Sequence, residues 1–191
     1  MRPDDLHDDE NWTGGFYELS LTLEPAGDDL LDRAVRALWR AAGVEGCLAR
    51  RPDGTFAAVE PGAAALHAHG HLRGRVTLPA GDRVVCGGFV SRFDGADHLE
   101  LYLPLGALAR VDRRIGGFPF DERSGAESLD WRAPIDRWLA AVAAVVHAEV
   151  PIRHGLVGFE IDEVDDLGEV PPYTAVLVPS GAGLDHRPAY G

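Results

Sequence analysis

The 191-residue chain contains no lysine and no glutamine, and Asn11 is its only asparagine. All 18 cationic residues are therefore arginine. The absence of lysine excludes a Schiff-base enzyme, a lysine-anchored pyridoxal phosphate and the lysine of a P-loop. The abundance of Ala, Gly, Pro, Asp and Arg is typical of a GC-rich genome, so we expect a bacterial protein.

Cysteines and long apolar runs are also scarce. Cys47 and Cys86 are the only cysteines, and their apolar or glycine neighbours predict two reduced, buried thiols. The longest apolar run, 138–146, is far shorter than the ~20 residues that span a bilayer. The N-terminus is acidic and polar, unlike a signal peptide. We therefore expect a cytoplasmic protein that does not contact membranes.

The net charge and the absence of known catalytic motifs reduce the number of function classes that the chain fits. A net charge of −13 disfavours nucleic acid and anionic membranes as partners, and it suits a basic protein. The chain has no G-x-S-x-G elbow, Walker motif, dinucleotide fingerprint, H-E-x-x-H or paired C-x-x-C. The sequence therefore identifies no catalytic residues.

The most informative segment that is present is 66–78, LHAHGHLRGRVTL. Apolar residues and glycines alternate with polar residues throughout, which predicts a strand with one buried face. The polar face of this predicted strand carries five imidazoles and guanidiniums, at His67, His69, His71, Arg73 and Arg75. We expect this row to lie in a binding site.

Similar patterns predict the rest of the fold. Strands are expected at 15–23, 46–50, 55–59, 84–93, 98–105, 152–161 and 173–178. Helices are expected at 28–42 and in a second segment with Pro134 near its first turn and Val146 on its apolar face. This order indicates an α+β fold: an antiparallel sheet of about six to eight strands with two helices on one face. Residues 1–11 are expected to form a flexible arm, 12–179 a single domain, and 180–191 a flexible tail.

The predicted order also suggests an internal duplication. Residues 14–60 and 98–179 both read strand-helix-strand-strand, with inserted strands at 66–93. ELSLTL at 18–23 matches ELYLPL at 100–105. Such a tandem order resembles the architecture of GyrI-like effector domains, which implies a small-molecule groove on the sheet face away from the helices.

The histidines allow several interpretations. Side chains at i and i+2 of a strand lie ~6.6 Å apart, so His69 and His71 could share a divalent metal with a third ligand from Glu18, His98 or Glu100. Alternatively, the histidines bind an anion together with the arginines, or they are simply solvated. A divalent metal is the only cofactor that the sequence indicates.

A second candidate cluster consists of Glu18, Glu100 and Tyr102, which occupy corresponding positions in the two half-repeats or lie beside them. Paired carboxylates can perform acid–base chemistry or bind a cation, whereas exposed strand glutamates are far commoner. Arg73 and Arg75 could clamp a carboxylate or phosphate, or pair with these acids across the sheet. Residues 110–132, with Gly116, Gly117, Phe118, Phe120 and Trp131, suit a lid or a loop pinned to the core.

Three functions follow from these observations. The leading one is a non-catalytic domain that binds a small polar ligand in a groove formed by His67, His69, His71, Arg73, Arg75, Glu18, Glu100 and Tyr102. The second is an acidic immunity or inhibitor module with a basic protein partner. The third is a metal-dependent or acid–base enzyme that uses the histidines. Antiparallel edge strands also favour a homodimer.

Overall fold

The chain alternates strands and helices, and the computed structural model describes residues 2–115, 127–161, 167–181 and 183–190. The strands are β1 (Phe16–Leu23), β2 (Glu45–Arg50), β3 (Phe56–Ala58), β4 (His71–Thr77), β5 (Arg83–Phe93), β6 (Ala96–Pro104), β7 (His154–Phe159), β8 (Ala175–Ser180) and β9 (Gly183–Arg187). The α-helices are α1 (Asp28–Ala41), α2 (Ala63–His69), α3 (Leu105–Val111) and α4 (Glu127–Glu149). Short 3-10 turns lie at Asp9–Trp12, Arg113–Ile115 and Leu167–Glu169.

Within these residues, nine strands form one antiparallel sheet in the order β3-β2-β4-β5-β6-β1-β7-β8-β9. The predicted α+β class and antiparallel sheet are confirmed. The sheet exceeds the predicted six to eight strands, because the expected tail contributes β9 as a hairpin partner of β8. In the part of the chain that the structure describes, four α-helices accompany the sheet rather than two, because the sequence pattern concealed α2 and α3.

One face of the sheet is apolar and packs against helices; we call it the helix face. The odd positions of β1 alternate onto this face, and Tyr17, Leu19, Leu21 and Leu23 are all fully buried there. Trp39 of α1 lies against Gly88 of β5 on the same face. Asp136 of α4 contacts Tyr17, and α1 packs on α4. The two longest helices therefore cover the centre of the helix face.

The predicted strand at 66–78 is wrong in its first half. Residues Ala63–His69 form α2, and the strand begins only at His71. Alanine and leucine are strong helix formers, and Ala63 and Leu66 share one buried side of the helix. Gly70 ends the helix with a positive φ of 74°, and its N–H donates to the Leu66 carbonyl at 2.7 Å. A helical turn thus precedes the strand.

Residues 2–11, part of the expected flexible arm, are packed against the rest of the chain in this structure. Leu6 is buried in the core, and the Asn11 side chain donates to the carbonyls of Arg2 and Asp5. Arg110 of α3 binds Asn11 as well as two acidic residues of the segment, Asp8 and Glu10. These contacts fix the position of the 3-10 turn that ends at Trp12.

The two strands with matching sequence patterns, β1 and β6, pair with each other at the sheet centre. β5 and β4 lie between β6 and β2, so the hairpin of the first half is separated from β6 by the inserted strands. The duplication itself stays a prediction. In the described ranges, no helix combines the length and the apolar character required to cross a membrane.

Candidate functional site

The face of the sheet opposite the helices carries polar side chains at its centre; we call it the polar face. The even positions of β1 point to it and face polar or aromatic residues on β6, in the pairs Glu18–Tyr102, Ser20–Glu100 and Thr22–His98. On the other side of β1, His154 of β7 lies beside Thr22. All seven of these residues are at most 7% exposed. Titratable groups are therefore buried at the middle of the sheet, where apolar side chains are expected.

Glu18 is a strongly perturbed carboxyl in this row. Burial raises the pKa of its carboxyl to about 7, although the Ile161 N–H donates to Glu18 Oε1 at 2.8 Å and partly offsets the effect. The nearby negative charge of Glu160 raises the pKa further. Glu18 can therefore gain or lose a proton near neutral pH.

Hydrogen bonds connect the neighbouring polar groups. The Ser20 hydroxyl donates to Glu100 Oε1 at 2.7 Å. The Thr22 hydroxyl lies 3.4 Å from His98 Nδ1 and 3.1 Å from His154 Nε2. At this end of the row, the Phe93 ring stacks on His98 with centroids 4.2 Å apart. β1, β6 and β7 thus each contribute polar side chains, and contacts with neighbouring side chains fix their directions.

The other end of the polar face is aromatic and centres on Tyr102. Its ring lies 4.3 Å from Phe16, 5.9 Å from Phe89 and 6.4 Å from Trp12 between centroids. The Tyr102 hydroxyl lies 3.3 Å from His71 Nδ1. Burial, and the nearby Arg73 charge, lower the pKa of His71 below its usual value, which favours the neutral imidazole.

Gly87 makes room for the Tyr102 ring. It faces Tyr102 across β5 and β6, and a Cβ atom at position 87 would overlap the phenol group. The ring has no free direction to move in, since Phe16, Phe89 and Trp12 surround it. A glycine at this position is therefore a requirement of the aromatic cluster.

Replacing Gly87 with alanine is expected to lower the free energy of unfolding by about 1–3 kcal/mol, because the added methyl group overpacks the site. Urea denaturation measures this loss, and the near-ultraviolet circular dichroism of the displaced tyrosine should change with it. Gly183→Ala, at a position with open space, is the matched control and should change stability little. Unchanged stability and dichroism in Gly87→Ala would contradict the placement of Tyr102.

The predicted site residues are only partly brought together. Glu18, Glu100, Tyr102, His71 and Arg73 all lie on the polar face, and Glu18 pairs directly with Tyr102. The expectation of a three-histidine row is wrong, because the first two histidines lie on α2.

His67, His69 and Arg75 lie apart from this cluster. His67 is exposed and its Nε2 lies 3.4 Å from the Asp28 carboxylate, while His69 is the last residue of α2. Arg75 is on β4, but its Nε donates to the Asp4 carbonyl at 2.7 Å. It lines a separate cleft of about 370 Å³ with Arg2, Asp4, Asp5 and Arg83.

The strand geometry behind the metal prediction does not hold, since His69 is helical and His71 begins a strand. In the described part of the chain, no group of three or more His, Cys, Asp or Glu side chains is placed to hold a metal ion. His69 and His71 therefore have no third metal ligand among the described residues.

The two cysteines are poorly suited to act as nucleophiles. Cys47 and Cys86 are free and buried, as the sequence predicted. Burial raises the pKa of Cys47 to about 11 and that of Cys86 higher still. Both thiols are therefore protonated at neutral pH and poor nucleophiles.

Most of the predicted lid region is helical or lies outside the described residues. Residues up to Val111 belong to α3, and Trp131 lies on α4, which begins seven residues before Pro134. Gly116, Gly117, Phe118 and Phe120 lie outside the described residues, so the lid stays a prediction.

Sequence reasoning missed a second buried polar cluster, which lies on the helix face. Arg132 is fully buried, and its Nε donates to Tyr17 Oη at 2.9 Å. Another guanidinium N–H donates to the Tyr173 carbonyl, and the Tyr17 hydroxyl donates to Asp136. The spacing of Arg132 and Asp136, four residues apart, was the available signal, because it places both on one side of a helix.

His154, Ser20 and Thr22 were also missed as site residues. The signal for Ser20 and Thr22 was present, because every even position of β1 from Glu18 onward is polar while every odd position is apolar. His154 gave no such signal, because its place beside Thr22 depends on the pairing of β7 with β1.

Comparison with protein-family models, with curated proteins and with solved structures found no match to this chain.

Proposed function

We propose that this protein binds a small polar ligand at the polar face of its sheet. The observation that carries the proposal is the buried Glu18 carboxyl, whose pKa lies near 7, in a row of buried polar side chains on the polar face. Strongly perturbed titratable groups cluster at functional sites more often than elsewhere.

Stability alone does not explain this row of residues. A buried polar group costs free energy unless it is hydrogen-bonded, and a well-packed apolar residue is often as stabilising or more so. Glu18 receives a single backbone N–H at Oε1, and Glu100 accepts from Ser20. A binding role gives a reason to keep carboxylates where leucine would pack as well.

The side chains also indicate the chemistry of the ligand. Ionised carboxylates only accept hydrogen bonds, so Glu18 and Glu100 favour a ligand that presents N–H or O–H donors. The aromatic rings of Phe16, Phe89 and Tyr102 adjoin these carboxylates and suit an apolar or cationic portion. We therefore favour an amine or a hydroxylated amine over a purely anionic molecule at Glu18.

The test is a ¹⁵N-NMR titration of the full chain with a panel of simple polar compounds: ethanolamine, n-butylamine, guanidinium, imidazole, glycerol and amino acids. We expect at least one compound to shift the amides of β1 and β6 saturably. The shift should weaken in Glu18→Gln and Glu100→Gln, and stay in the control Glu60→Gln, an exposed position. No saturable shift in β1 or β6, or equal binding by all variants, would contradict the proposal.

One observation favours an acid–base enzyme as a second candidate. A carboxyl with a pKa of about 7 is suited to take up and release protons at neutral pH. The same titration distinguishes the two functions. An enzyme would convert the bound compound, and the NMR signals of that compound would then change with time. Binding of a basic protein stays a prediction from the net charge of −13.

A further inference from the structure

Arg73 differs from the other buried or half-buried arginines among the described residues. Arg75, Arg110 and Arg132 each donate hydrogen bonds to carboxylates, a carbonyl or a hydroxyl. Arg73 is half-buried on β4, yet it donates no hydrogen bond and forms no ion pair within the described residues. A guanidinium has five N–H donors and no acceptor, so those of Arg73 are available to a ligand.

The guanidinium of Arg73 is held in place by aromatic rings instead. Its Cζ lies 3.9 Å from the centroid of Trp12 and 5.0 Å from that of Phe56. Stacking fixes the plane of the group and leaves its N–H edges directed outward. Trp12 is itself anchored, because its indole N–H donates to the Leu6 carbonyl at 3.2 Å. Arg73 is thus preorganised as a donor without an acceptor in the described chain.

The position of Arg73 links it to the proposed site. Arg73 faces Gly87, Gly87 faces Tyr102, and Tyr102 faces Glu18, so these four residues form one row across the polar face. Arg73 and Glu18 both act electrostatically on Tyr102, which lies between them. Their backbones are three strand spacings apart, about 14 Å, and the side chains shorten the gap.

We propose that Arg73 binds the carboxylate of a ligand whose amino group is bound at Glu18, so that the natural ligand is a small amino carboxylate. This inference rests on the proposed function. A planar guanidinium and a carboxylate form two parallel hydrogen bonds, which gives both affinity and orientation. His71 lies next to Tyr102 at the Arg73 end of the row. Its lowered pKa favours the neutral imidazole, so His71 adds no second cation there.

The experiment measures Kd by calorimetry for γ-aminobutyrate, δ-aminovalerate and ε-aminocaproate, with n-butylamine as the amine without a carboxylate. We expect the best-fitting amino carboxylate to bind more tightly than n-butylamine to the natural chain. Arg73→Gln should weaken its binding about 10- to 100-fold, the value of a hydrogen bond to a charged group. Arg73→Lys should recover only part of this loss, because lysine lacks the planar pair of donors.

The matched control is Arg75→Gln. Arg75 lies on the same side of the same strand as Arg73, but its Nε–H already donates a hydrogen bond to the Asp4 carbonyl. Neither Arg75→Gln nor Arg73→Gln should change the Kd of n-butylamine. In the natural chain, the Nε–H signal of Arg73 should shift when the amino carboxylate is added, which tests the contact even if a variant fails to fold.

The outcomes separate the two proposals. If the amines and amino carboxylates bind and Glu18→Gln weakens them, while Arg73→Gln has no effect and the Arg73 signal stays in place, the role of Arg73 is overturned and the ligand site stands. If none of these compounds binds to any form of the chain, both the amino-carboxylate assignment and its amine-binding premise are overturned.

Discussion

Replacing Arg132 with methionine is expected to lower the free energy of unfolding by about 3–5 kcal/mol, because the buried guanidinium loses its hydrogen bonds to Tyr17 and Tyr173. Methionine fills a similar volume, so the loss reports the missing charge and hydrogen bonds rather than a cavity. Burial raises the pKa of Asp136, and the Arg132 charge works against this rise. Without Arg132, the buried Asp136 carboxyl loses a nearby positive charge that favours its ionised form.

Urea denaturation at pH 7 measures this change, and a double variant tests its cause. Arg132→Met combined with Asp136→Asn removes both charges and keeps an acceptor for the Tyr17 hydroxyl. We expect the double variant to be more stable than Arg132→Met alone, because it contains no isolated carboxylate. Arg137→Met, an exposed arginine on the same helix, is the control and should change stability little. Equal losses in the single and double variants would show that the Arg132 charge does not act on Asp136.

Replacing Glu18 with glutamine is expected to stabilise the protein at high pH and not at low pH. The pKa of Glu18 is about 7 in the folded chain and 4.5 as its ordinary value. A carboxyl with a raised folded-state pKa favours the fold when protonated. Its contribution is fully present below pH 4.5 and is lost as the pH rises through about 7. Glutamine stays neutral throughout, so the variant should be the more stable by about 3 kcal/mol at pH 9.

The measurement is the difference in unfolding free energy between the natural chain and Glu18→Gln from pH 4 to pH 9. The difference should be small at the acidic end and should grow through the neutral range. Glu60→Gln removes an exposed carboxylate and should show no comparable step. A difference that is independent of pH would mean that Glu18 is not desolvated in the folded chain.

Strong local patterns predicted much of the fold. The alternation of leucines in β1 and the spacing of Leu31, Val35 and Leu38 in α1 each specify one buried side, so both elements were found within one residue. The segment at 63–70 was misread because alternation in a short run of Ala, Leu and His fits a helix as well as a strand. Gly70 indicates the end of a helix only when its positive φ is known.

The candidate site was predicted in part. Glu18, Glu100 and Tyr102 could be placed on one face because each lies in a clearly alternating strand. Their neighbours could not be identified, because strand order is a long-range property that no local pattern encodes. Trp12 was expected next to a flexible arm, and Arg132 in a loop, whereas contacts between distant segments give both residues their roles.

The pairing of β1 with β6 and β7 also determines when the site can form. The Ser20–Glu100 hydrogen bond joins residues 80 positions apart, and the Thr22–His154 contact joins residues 132 apart. β1 leaves the ribosome early, but both of its partner strands are synthesised much later. β1 therefore stays unpaired, with its leucines exposed, until these partner strands are made. Contacts of such high sequence separation favour slow folding. The polar face is thus completed only after β6 and β7 have been synthesised.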